Sequence, residues 1–84
     1  MSTLPLDLFV DLNSIDETGL PWSFLDEAPD PAVIVPGAFI LVGAGSARAV
    51  AQVIDITDEG VVHVRPLPGP PSDHLHLLHG RAAS

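Results

Sequence analysis

Residues 6–12 alternate without a break, with Leu6, Leu8, Val10 and Leu12 on one side of an extended chain and Asp7, Phe9 and Asp11 on the other. A period of two with one apolar side predicts a half-buried strand. Asn13-Ser14 then opens a polar stretch ending at Gly19. The run Pro21-Trp22-Ser23-Phe24-Leu25-Asp26-Glu27-Ala28 predicts a helix of about two turns, with Pro21 at its first position and Pro29 ending it. Pro29-Asp30-Pro31 bars regular structure and separates this segment from the apolar block that follows.

That block carries most of the predicted structure. Pro36-Gly37 reads as a turn, Ala38 to Val42 as a strand, and Gly43-Ala44-Gly45-Ser46 as a tight connection. Thr57-Asp58-Glu59-Gly60 has the composition of a hairpin turn, which makes Val50 to Ile56 and Val61 to Arg65 an antiparallel pair. In the second strand Val62 and Val64 are expected inward, His63 and Arg65 outward. Residues 46–55 admit a rival reading, because Ala47, Val50, Ala51 and Ile54 also sit at helical spacing. The strand is preferred because β-branched residues dominate Val53 to Thr57 and lead straight into the turn. After Gly69, Pro70-Pro71 stiffens the chain. Ser72 is placed to N-cap a short helix through His79, with Gly80 just past its end and with Leu75 and Leu78 facing the barrel.

Together these elements predict one mainly β domain, a small, partly open β-barrel of four to five strands with short N-terminal and C-terminal helices. An acidic strand/helix arm (1–31), a barrel core (32–69) and a C-terminal helix (70–80) make up the domain, and residues 81–84 form a frayed tail. The strand from Ala38 to Val42 is apolar on both faces, Ala38, Ile40 and Val42 against Phe39 and Leu41, so it needs cover on both. The short helix, through Trp22, Phe24 and Leu25, is the expected cover. The alternative is a partner or a second copy meeting Phe39 and Leu41, with Trp22 as anchor.

Composition narrows the possible partners. No Lys or Arg precedes Arg48, while seven carboxylates do, and the net charge is −8. Nucleic acids and anionic membranes are held chiefly by Lys and Arg, so neither is an expected partner. A cationic protein surface is. The chain has no cysteine, which removes disulfides and thiolate metal ligation and fits a reducing interior. With no basic n-region and with Asp7 and Asp11 interrupting the first apolar stretch, a cytoplasmic location is expected.

Candidate chemistry is sparse. Val42-Gly43-Ala44-Gly45-Ser46-Ala47-Arg48 has part of a dinucleotide-binding pattern, but Arg48 occupies the third glycine position and no second mononucleotide unit follows, so a turn between strands is the preferred reading. His76 and His79 would share a helix face, with His74 and Asp73 nearby, which makes a metal-binding or ligand-binding protein a further alternative; no metal or cofactor is the preferred expectation. The pairs Asp26-Glu27 and Asp58-Glu59 read as a helix end and a hairpin tip. No nucleophile and base are recognisable, so no enzyme is predicted.

The run Pro36 to Gly43, then Ala49 to Ile56, then Gly60 to Val64, resembles the core of SH3-like barrels of the KOW and translation-protein type. The chain also looks like small bacterial proteins that carry a similar Asp-x-Thr-Gly-Leu-Pro-Trp segment, here Asp16 to Trp22, ahead of a Pro-Gly barrel core. The resemblance implies an SH3-like barrel and no particular activity. KOW-type barrels that bind RNA use basic loops, whereas the equivalent loop here has only Arg48. The resulting expectation is a non-catalytic protein-protein interaction module whose surface comprises Trp22, Phe24, Asp26, Glu27, Phe39 and Leu41, binding a protein or self-associating as a homodimer. An acidic, antitoxin-like inhibitor of a basic protein is the alternative.

Overall fold

Ten consecutive residues, Ala47–Ile56, form the strand on which the rest of the molecule is assembled. In the computed structural model, which describes residues 5–78, this strand (β4) is flanked by β3 (Phe39–Ala44) and β5 (Val61–Pro66) in an antiparallel meander. Two short strands complete the sheet. β1 (Leu8–Phe9) runs parallel to β3, and β2 (Trp22–Phe24) runs antiparallel to β5. The order β1-β3-β4-β5-β2 curls into a nearly closed five-stranded barrel, with β1 and β2 as the facing edges. Among the described residues no helix is long and apolar enough to cross a membrane.

Both hairpins follow from local chemistry. Ala44 pairs with Ala47, leaving Gly45-Ser46 as a two-residue loop. Only Gly45, at φ +59°, has positive φ there, the requirement of a type II′ turn. The partial dinucleotide pattern is therefore a tight turn between antiparallel strands, and the helical alternative for residues 46–55 is not adopted. At the other hairpin the Thr57 amide donates to the Val61 carbonyl (2.8 Å) and the Gly60 amide to the Thr57 carbonyl (2.9 Å). The Pro36-Gly37 turn is closed by the Ala38 amide donating to Val35 (3.0 Å).

β4 contains a bulge that decides which side chains face inward. Val53 pairs with Val64, but the next pair is Asp55 with His63, so Ile54 is an extra residue. A bulge of this kind restores alternation one residue later. Asp55 consequently lies on the outer face beside His63, and Ile56, opposite Val62, packs against the core. In an unbroken ladder Asp55 would share the inward face of Val53.

The inner core gathers Leu8, Val10, Ile34, Ile40, Val42, Ala49, Ala51, Val53, Val62 and Val64. A second cluster lies outside the barrel, where Leu41, Val50 and Leu78 are buried among Leu6, Phe39, Leu67, Leu75 and Leu77. The two-faced strand is thus covered as its composition demands, though by a different segment. Chain 67–78 supplies the cover, with Leu75 and Leu78 facing the barrel as expected, while Leu25 packs against the inner core.

Other expected elements change form. The helix over Pro21 to Ala28 is replaced by β2 and a 3-10 turn, Leu25–Glu27. Aromatic Trp22 and Phe24 suit a pleated edge, and pairing with Val61 to His63 outweighs a helix too short to stand alone. The arm therefore contributes both edge strands. Its first strand is shortened to Leu8–Phe9: Leu8 and Val10 point inward, whereas Leu6 turns to the outer cluster. Asp7 sits at this change of face, its amide donating to the Leu41 carbonyl (2.8 Å) and its carboxylate accepting from the Leu41 amide (2.9 Å). The expected C-terminal helix begins instead as a 3-10 turn, Pro71–Asp73, preceded by Pro70 rather than capped by Ser72. Residues 76–78 are helical, and His79, Gly80 and the tail lie outside the described residues.

Candidate functional site

Among the described residues, His63 is the one buried polar or charged residue. The outward orientation expected from the pleat holds, but exposure does not follow, because the loop between β1 and β2 folds over the ring. Nδ1 lies 2.6 Å from Asp55 Oδ1, and Nε2 lies 2.7 Å from Asp16 Oδ2. The His63 side chain is only 10% exposed, against 28% for Asp16 and 59% for Asp55. Ionised carboxylates only accept, so this geometry favours the protonated ring, in which both nitrogens donate.

The segment Asp16 to Trp22 is built around this contact. Asp16 Oδ1 accepts from the Thr18 amide (2.9 Å) and from the Thr18 hydroxyl, and the Asp16 carbonyl accepts from the Gly19 amide (2.9 Å). The chain then returns through an Ile15–Pro21 bridge, and Pro21 accepts from the Val64 amide (3.1 Å). The next residue, Trp22, pairs directly opposite His63. Asp16 and His63 thus tie the loop to the barrel at the point where β2 begins, and so fix the position of Trp22.

Electrostatics reinforce the tie. The Thr18 hydroxyl, aided by His63 and the Thr18 amide and opposed by partial burial, lowers the Asp16 carboxyl from 3.8 to about 2. Hydrogen bonds to Asp55 and then Asp16 outweigh desolvation and raise His63 above 6.5. A raised cation stabilises the fold fully below 6.5 and loses that contribution as pH rises through its folded value; a lowered acid contributes above 3.8 and loses it as pH falls through about 2. The tie is therefore at full strength between pH 3.8 and 6.5. Urea unfolding across pH is expected to show stability falling on the alkaline side, with the His63-dependent part of that fall absent in His63→Gln. Parallel profiles for parent and variant would refute this assignment.

With both ring nitrogens donating to carboxylates, the ring has no free lone pair with which to act as a base. Nor do the two carboxylates converge with the ring on one point, and among the described residues no group of three or more His, Asp or Glu is placed to hold a metal. In the C-terminal segment His74 Nε2 donates to the Pro68 carbonyl (2.7 Å), His76 is exposed, and His79 lies outside the described residues.

A different surface forms where the barrel fails to close. A groove of about 340 Å³ spans the two edge strands, walled by Phe9 and Asp11 on one side and by Trp22, Phe24 and Glu27 on the other. Phe9 is 51% and Phe24 47% exposed. Trp22 and Phe24, two apart on β2, stand edge to face with centroids 5.3 Å apart and planes at 88°. Phe24 also walls a neighbouring depression of about 370 Å³ containing Asp26 and Glu59.

The six residues expected to form one partner surface therefore divide. Trp22, Phe24 and Glu27 line the seam, Asp26 lies in the depression beside it, and Phe39 lies in a separate apolar hollow with Val35 and Leu77. Leu41 is withdrawn from the set, being 2% exposed beneath the C-terminal segment. Phe9, which sequence reasoning did not select, belongs to the seam; its polar-side position in the alternating run was the available signal. Comparison of the chain with family models, with curated proteins and with solved structures finds no significant match.

Proposed function

We propose that the protein is a non-catalytic interaction module whose binding surface is the seam between β1 and β2. The observation that carries this reading is the half-exposed aromatic lining of that seam, held in place by the Asp16–His63 tie. Large aromatic side chains dominate interface energetics, and here burial of their faces is left incomplete by the barrel itself. Edge strands add a second reason. Among the described residues each pairs on one side only, a configuration that invites an extended partner. The engagement of both His63 nitrogens supports a binding role over catalysis, and the cysteine-free composition supports a cytoplasmic setting.

Affinity purification from the host at low ionic strength is expected to recover a stoichiometric protein with the parent chain. Phe24→Ser should lose it with no more than a small change in stability, because Phe24 is half exposed. Retention of the same protein by Phe24→Ser, or a parent chain that recovers none, would refute the proposal.

A further inference from the structure

We infer that the seam binds a basic, extended protein segment by taking an Arg or Lys side chain between the rings of Phe9, Trp22 and Phe24; this rests on the interaction reading above. Three features point to a cation. First, the walls are aromatic, and the perpendicular Trp22–Phe24 pair forms a corner, so that a side chain entering the groove meets more than one ring. Ring faces attract guanidinium and ammonium groups, Trp most strongly. Second, every charged side chain lining this groove and its neighbour is a carboxylate: Asp11 and Glu27 in one, Asp26 and Glu59 in the other. No Lys, Arg or His lines either, among the described residues. Third, the charge of −8 extends the same sign beyond the site, which steers cationic partners and speeds encounter at low salt.

The same features weigh against a purely apolar occupant. The Asp11 oxygens accept from the Asn13 amide (3.0 Å) and the Ser14 hydroxyl (3.1 Å), but a hydrophobic side chain in the seam would desolvate the charges of Asp11 and Glu27 without offering a counter-charge. An Arg or Lys satisfies both requirements, its stem lying along the rings and its head reaching the carboxylates. Phe24 divides the two acidic depressions, so an extended segment crossing it can place basic residues on both sides.

The test uses a short peptide with two arginines separated by one glycine, and its analogue with citrulline, the neutral isostere, at both positions. The full chain is titrated with each while the Trp22 indole Nε1–H signal is followed by NMR. Trp22 is the sole tryptophan. The arginine peptide is expected to shift this signal saturably, and the citrulline peptide to bind roughly tenfold or more weakly. Phe24→Leu keeps apolar bulk but removes a ring face, and Glu27→Gln keeps shape but removes a charge; each should weaken the arginine peptide severalfold, and high ionic strength should weaken it further. Equal responses to both peptides would overturn the cation assignment, as would a Phe24→Leu chain that binds like the parent. Absence of a saturable shift also overturns it. If affinity purification still recovers a protein through Phe24 in that case, the interaction reading survives alone; if it recovers none, both fall.

Discussion

Gly43→Ala is expected to remove about 3–5 kcal/mol of folding stability, a third or more of the margin that a chain of 84 residues commonly has. A Cβ at this position would lie 2.1 Å from the Ala47 carbonyl oxygen and 3.0 Å from the Arg48 Cα. Both atoms are backbone of the partner strand, and Gly43 is paired with Arg48 and with Phe9. Relief would therefore require opening the β3–β4 hairpin or releasing β1. Gly43 also has φ +157°. Gly45 supplies the control. At φ +59° with nothing within 4 Å of its absent Cβ, Gly45→Ala should lose only about 1 kcal/mol, from backbone strain alone. Urea unfolding of the two variants, followed by Trp22 fluorescence, separates these cases. Equal losses would mean that close approach to Ala47 is not what position 43 requires.

The contrast between these glycines marks how far local pattern reaches. Thr57-Asp58-Glu59-Gly60 and Pro36-Gly37 could be read directly, because their closing hydrogen bonds span three or four residues. The valine-rich alternation of β5 was legible for the same reason. Trp22-Ser23-Phe24 was not: its neighbours in sequence permit a short helix, and its strand conformation comes from Val61 to His63, about forty residues away. The His63 tie is more remote still, since Asp16 lies forty-seven residues distant and Asp55 reaches the outer face only through the bulge at Ile54. No spacing rule places a bulge. The seam was half legible: Trp22, Phe24 and Glu27, with Asp26 beside them, stood out as aromatics and acids without cations, whereas Phe9 looked like an ordinary member of a strand's polar side. Its exposure depends on where the barrel stops closing.

Leu41 was legible as buried or bound, and which of the two depends on the chain segment that covers it. Since Leu41 packs with Val50 and Leu78 on the outer face, Leu41→Ala is expected to cost about 2–4 kcal/mol, the lost transfer of the side chain plus the cavity left behind. Partner capture through the seam should be unchanged, provided the variant is assayed where it remains folded. A partner-contact residue would give the reverse, weaker capture with little change in unfolding. Leu78→Ala, on the covering segment, should be destabilising in its own right. Because Leu41 and Leu78 share one cluster, the double variant is expected to lose less than the two single losses added together, by about 0.5 kcal/mol or more. Strict additivity would show that the C-terminal segment draws no stability from Leu41, and the outer face of β3 would then require cover from a second molecule.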